Sequence, residues 1–148
     1  MDYTLLADEL IDLQTAFNHL PVGEALTELY CGEYLALSFL AGRGGAAHPK
    51  ELSGFMCVSS ARIAALLRHL EEKGWVRRKP DRTDERKVVV RLTKVGGALI
   101  GAKHAEAVSE VCRLLGALEP DEAAEYVRLR RKLVAAASKI SLKEGEAT

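Results

Sequence analysis

Apolar side chains near the start of the chain fall at Tyr3, Leu6, Leu10, Leu13, Phe17 and Leu20, in alternating steps of three and four. That spacing draws one stripe along a helix, with Asp8, Glu9 and Asp12 elsewhere on the cylinder. Pro21 and Gly23 interrupt it, and a second helical stretch runs from about Glu24 to Ala41 on Leu26, Leu29, Tyr30, Leu37 and Leu40, ending in the Gly-rich run Gly42 to Gly45. Two short helices follow, from Pro49 at a first-turn position to about Phe55 and from Ser60 to about Lys73, the latter stopped by Gly74. The period then changes from helical to alternating. Trp75 to Lys79 and Lys87 to Leu92 read as two strands, the second carrying the β-branched run Val88, Val89, Val90, and PDRTDE between them supplies turn chemistry for a hairpin with a charged tip. Thr93 reads as the N-cap of a helix reaching Leu115 or Leu118, and Pro120 with Asp121 opens a last helix to about Ile140, where Tyr126, Leu129, Leu133, Ala136 and Ile140 again step by three and four. Residues 141–148 read as a flexible tail, and no internal repeat is present.

Composition narrows the class. A chain of 148 residues with 48% apolar and 28% charged side chains fits one globular domain and excludes a disordered tail protein. Aromatic residues make up 5% and helix formers dominate, which argues against an all-β enzyme. The start carries acids where a secretory signal carries basic residues, and the longest apolar stretch, Leu35 to Leu40, is far too short for a bilayer; a cytoplasmic protein without a membrane partner is expected. Cys31, Cys57 and Cys112 are odd in number and far apart, which suggests neither a disulfide framework nor a zinc ribbon and leaves reduced, mostly buried thiols as the expectation.

The formal charge is zero in total but uneven along the chain. Residues 1–40 hold seven acids and no Lys or Arg, whereas residues 62–91 hold ten Lys or Arg against five acids. That basic stretch begins inside a pattern suited to a helix-turn-helix. Leu52, Met56, Val58, Ile63 and Leu66 fall where two short crossing helices need apolar contacts, and Ser53 is the small residue that lets the second helix approach. The second helix opens with Ser59 and Ser60, turns Arg62 and Arg68 away from Ile63, Leu67 and Leu70, and leads directly into the basic hairpin: a winged helix. An α-helix fits the major groove of DNA, so Ser60, Arg62 and Ala65 are placed to meet base edges. Arg82, Arg86 and Lys87 on the hairpin would reach the flanking minor groove or phosphates. Arg77, Arg78 and Lys79 could add phosphate contacts, with Arg78 on the opposite face of its strand from the other two.

From Glu51 to Gly96 the chain closely resembles the winged-helix region of MarR-type bacterial transcription regulators. LEEKGWVRR before the wing, D-E-R at Asp84 to Arg86 on it and V-R-L-T-x-x-G from Val90 to Gly96 carry the resemblance. It implies a mainly α fold with a small β-hairpin wing, a winged helix-turn-helix flanked by N- and C-terminal dimerisation helices. The whole of 1–148 then reads as a single MarR-like domain, with about 1–45 and 97–140 as dimerisation and scaffold helices and about 46–96 as the DNA-binding lobe. It implies a homodimer on a pseudo-palindromic operator in double-stranded DNA, a repressor released by a small aromatic or phenolic ligand, and no cofactor. The DNA-binding residues are then Ser59, Ser60, Arg62, Ala65, Arg68, Arg78, Arg82, Asp84, Arg86 and Lys87, with Arg86 as the minor-groove wedge and Asp84 shaping the wing. Cys57 departs from the pattern, since Gly often holds that turn position.

The apolar stripes at both ends could pack within one chain or between two; a two-fold partner matches a palindrome. His19, His48, His69 and His104 lie on different elements and no catalytic motif accompanies them, so the sequence points to no enzyme, and His69 with Glu72 or His104 with nearby acids makes a weak zinc site. Two alternatives stay open: a thiol-based redox sensor of the same fold using Cys31, flanked by Tyr30 and Tyr34, or Cys57, and a protein-interaction adaptor that does not use DNA.

Overall fold

The computed structural model describes residues 2–145, with side chains described as far as residue 139. The chain divides into two compact units, one up to Val108 and one from Ser109 onward. The first holds α1 (Thr4–Asn18), α2 (Pro21–Leu29), α3 (Gly32–Gly42), β1 (Ala46–Ala47), α4 (Pro49–Met56), α5 (Ser60–Glu72), β2 (Val76–Pro80) and β3 (Val88–Leu92), followed by most of α6 (Lys94–Leu115). The second holds the end of α6 and all of α7 (Pro120–Gly145). The strands form one antiparallel sheet in the order β1-β3-β2.

The single helix expected from Glu24 to Ala41 is two. Cys31 is extended (φ −133°, ψ 161°) and Gly32 takes φ +54°, so the helix stops after Leu29 and restarts. The apolar period reads through this break because both pieces bury a face in one core: Leu29 from α2, and Ala36, Leu37 and Leu40 from α3. Gly23, expected to interrupt the first helix, lies inside α2. A Cβ there would sit 2.0 Å from the Phe17 carbonyl oxygen, so its role is close approach between the end of α1 and α2. The strand β1 left no sequence signal, having only Ala46 and Ala47, which pair with Arg91 and Val90. The last helix continues to Gly145, and the remaining residues of the expected tail, 146–148, lie outside the described residues.

The core of the first unit gathers Leu37 and Leu40 of α3, Leu52 of α4, Ile63, Leu67 and Leu70 of α5, Val76 of β2 and Val90 of β3, all essentially closed to water. Each such side chain contributes about 1.5–3 kcal/mol relative to exposure, so this cluster orients the short α4 and α5, which are too short to be stable alone. The expected crossing residues behave accordingly: Leu52 and Ile63 are buried, while Met56, Val58 and Leu66 pack half-buried around them. Ser53 is small and also polar for a reason, since its hydroxyl donates to the Val58 carbonyl at 2.6 Å and ties the end of α4 to the turn. Among the described residues, Cys57 in that turn is the one non-glycine residue in the left-handed region (φ 53°, ψ 43°).

The Thr and Gly of V-R-L-T-x-x-G acquire a structural meaning at the exit from the wing. Thr93 Oγ1 accepts from the Gly96 amide at 3.0 Å, capping α6, and donates back to the Gly74 carbonyl at 2.7 Å. Gly96 then lies so close to the entry of β2 that a Cβ would fall 2.1 Å from the Trp75 carbonyl oxygen. Threonine and glycine at this spacing close the wing onto the start of α6.

Candidate nucleic-acid interface

The second helix of the crossing pair presents its first turns outward. Ser59 is the N-cap of α5, its Oγ accepting from the Arg62 amide at 3.2 Å, and Ser60, Arg62, Ala65 and Arg68 are all exposed. The opposite face of the same helix supplies Ile63, Leu67 and Leu70 to the core. Among the described residues neither Arg62 nor Arg68 has a carboxylate within ion-pair distance.

The tip of the hairpin is held by its own carboxylates. Asp81 donates its amide to the Lys87 carbonyl at 2.8 Å, closing the loop, and its Oδ1 accepts from the Thr83 amide and hydroxyl, both at 3.0 Å. The Thr83 amide, then its hydroxyl, hold the Asp81 carboxyl below the usual carboxylate range, with the charges of His48 and Lys87 adding to the effect. Asp84 Oδ1 accepts from the Arg86 amide at 3.1 Å, and its carbonyl accepts from the Lys87 amide at 2.9 Å. The acids shape the loop, while Arg82, Arg86 and Lys87 stay exposed and, among the described residues, unpaired.

Arg78 is placed differently from the other expected contacts. Its Nε and Nη2 donate to Glu71 Oε2 at 2.9 and 2.7 Å, and its amide donates to Glu71 Oε1 at 3.1 Å. The guanidinium braces β2 against the last turn of α5, and the same contacts lower the Glu71 pKa. The alternation that turned Arg78 away from Arg77 and Lys79 anticipated a different face but not this partner. Sequence reasoning also missed His48, whose Nδ1 lies 3.0 Å from the Val88 carbonyl oxygen and whose Nε2 lies 3.2 Å from Asp81 Oδ2. His48 precedes Pro49 and donates its amide to Glu51 Oε2 at 2.8 Å, so it marks the start of α4 while its ring holds the wing. The Pro and Glu at that spacing are an N-terminus signal, whereas a partner 40 residues away in sequence leaves none.

The cysteines require a correction. All three are exposed, not buried, because Cys31 occupies the break before α3, Cys57 the tight turn after α4, and Cys112 an outward position on α6. Cys31 Sγ is directed at the Glu28 carbonyl at 3.7 Å and Cys57 Sγ at the Gly54 carbonyl at 3.6 Å. His69 faces Glu33 at 3.2 Å and Glu72 at 3.8 Å, and among the described residues no group of three or more His, Cys, Asp and Glu side chains could hold a metal ion. No described helix is long and apolar enough to cross a membrane.

Two helices joined by a tight left-handed turn, followed by a hairpin with a cationic tip that β1 extends to a three-stranded sheet, define a winged helix-turn-helix fold. Residues 25–88 match the MarR family. Over that segment the chain is similar to the MarR family, and its fold is that of a winged helix-turn-helix protein. It is similar in structure to a MarR family protein from Bacillus stearothermophilus (22% identity, TM-score 0.77, covering 93% of this chain and 99% of that one). It is also similar to the YusO protein of Bacillus subtilis (21%, TM-score 0.72, 92% and 99%). A mutant MarR from E. coli solved in complex with operator DNA matches at 26% identity and TM-score 0.56, over 85% of this chain and 91% of that one. No curated protein matches the chain by sequence.

Proposed function

We propose that this protein represses transcription by binding a pseudo-palindromic operator as a homodimer, with the first turns of α5 in the major groove and the wing tip in the adjacent minor groove. The observation that carries the reading is the division of labour in the basic segment. Acids and one arginine (Asp81, Asp84, Glu71, Arg78) are consumed in bracing the wing, while Arg62, Arg68, Arg82, Arg86 and Lys87 are left outward and unpaired among the described residues. A set of cations without internal partners on two elements of a winged helix suits the phosphates and groove edges of a duplex. Ser59 and Asp84 act by positioning, through the cap of α5 and the loop around Arg86. The likeness to the operator-bound MarR mutant of E. coli supports the same arrangement. Release by a small aromatic or phenolic ligand belongs to this reading on the family resemblance alone.

Selection from a random duplex library tests it. The protein should enrich a two-fold symmetric site; a protein-interaction adaptor would enrich none. On that site Arg86→Ala should weaken binding and lower the slope of log K against log salt by about one per protomer, with the dimer intact. Unchanged binding across salt concentrations would remove the wing from the interface.

A further inference from the structure

A cleft of about 750 Å³ opens on the side of the sheet turned away from the core, between the last turn of α5, the strands β2 and β3, and the first turn of α6. Arg77, Lys79, Arg91 and Lys94 line it, and among the described residues none of the four has a carboxylate within ion-pair distance. The one acid in its lining, Glu71, is committed to Arg78. Local physics disfavours this arrangement twice over. Arg77 and Arg91 are direct cross-strand partners, and like charges in that relation repel. Lys94 is the first residue of α6, whose first turn holds no acid, so a cation sits at the positive end of a helix of 22 residues. The cap Thr93 satisfies the Gly96 amide, while the amides of Lys94 and Val95, on the cleft, find no acceptor among the described residues. Each of these features becomes favourable if an anion occupies the cleft.

The cleft is set back from the first turns of α5, and its Lys79 lies three residues before Arg82 of the wing tip. It adjoins Glu71 and Gly74 at the C-terminal end of α5, whereas the exposed first turns begin at Ser60, about 18 Å away along the helix axis. Its volume falls in the range of small-molecule sites.

We propose that this cleft is a binding site for a small polyanion, a phosphate- or polycarboxylate-bearing molecule held by Arg77, Lys79, Arg91, Lys94 and the first amides of α6. The site lies at the root of the wing and does not depend on the proposed DNA reading; competition by duplex separates the two. Occupied, it would bridge the root of the wing to the start of α6.

Calorimetric titration of the full chain with pyrophosphate, at ionic strength held constant with chloride, tests the site. One saturable event per chain is expected, at roughly millimolar affinity or tighter. Arg91→Ser should weaken it at least tenfold, as should Val95→Asp, which offers the helix end a carboxylate of its own. Arg86→Ala, at the wing tip, should leave it unchanged. Thermal melting of Arg91→Ser should show an unchanged or higher Tm, since a repelling pair is removed, so lost binding would not reflect lost folding. Protein saturated with a mixed-sequence duplex should still take up pyrophosphate. Absence of a saturable event, equal affinity in both variants, or displacement of pyrophosphate by duplex would overturn the proposal, the last by assigning the cations to the DNA backbone.

Discussion

Cys57 shows how a single position registers the fold. The left-handed conformation at the turn between α4 and α5 costs a residue with a Cβ roughly 1–2 kcal/mol, and the buried contacts of Leu52 and Ile63 hold the backbone there regardless. Cys57→Gly is therefore expected to raise stability by up to about 1 kcal/mol, the relief of strain being offset in part by the greater freedom of glycine in the unfolded chain. Denaturant unfolding measures this; a loss of stability would mean that the thiol contact with the Gly54 carbonyl outweighs the strain. Gly96 has the opposite character. A methyl group there would meet the Trp75 carbonyl oxygen, a backbone atom that has no rotamer to escape into. Gly96→Ala should destabilise by on the order of 2 kcal/mol or more, and a neutral result would show that β2 can shift away from α6. That glycine was part of a motif visible in the sequence, but the atom it makes room for, 21 residues earlier, was not.

Elements were legible wherever a regular period met a clear stop. Helices α4 and α5, the strands of the wing and the start of α6 lie within a residue or so of where pattern and capping residues put them. The division of residues 24–41 into α2 and α3 was hidden because two helices packed on one core keep a common apolar rhythm, and β1 because two alanines carry no rhythm at all. The struts that hold the wing were hidden for a further reason: Glu71 with Arg78, and His48 with Asp81 and Val88, join different elements. The Glu71 strut has a pH signature. Donation from the Arg78 side chain, then from its amide, lowers the folded-state pKa of Glu71, so its contribution to stability is complete above the ordinary glutamate range and fades as pH falls through the lowered value. Glu71→Gln should cost less than about 1 kcal/mol at pH 7, given how exposed the pair is, and the difference should vanish in the acid limb. A difference that persists undiminished below pH 3 would attribute the effect to packing.

For the molecule as a whole, the terminal helices are the unfinished part. Helix α1 buries none of its residues, and Leu5, Leu6, Leu10, Ile11 and Leu13 are all more than half exposed. In the second unit α7 likewise leaves Tyr126, Leu133 and Val134 more than half exposed. Apolar stripes of this extent on ordinary amphipathic helices call for a cover, and a second copy of the chain is the cover the proposed dimer supplies. Replacing Leu10 and Leu13 together by Glu is expected to give a monomer in sedimentation velocity with the far-ultraviolet helix signal retained. Duplex affinity should fall by at least a hundredfold as the two half-sites are no longer read together. A variant that stays dimeric would move the contact elsewhere.

What the sequence by itself determined is local or compositional: the order of helices and strands, the helix-turn-helix core from Leu52 to Leu66, the cationic stretch that follows it, and the odd residue at the turn. These follow from periodicity, capping and turn preferences, which act between neighbours along the chain. What only the tertiary structure decided is which cations are spent and which are left over. Arg77 and Arg78 are adjacent and chemically identical, yet one is locked to Glu71 while the other faces Arg91 across the sheet. Electrostatic pairing depends on separation in space, and strand register and helix packing, not sequence distance, set that separation.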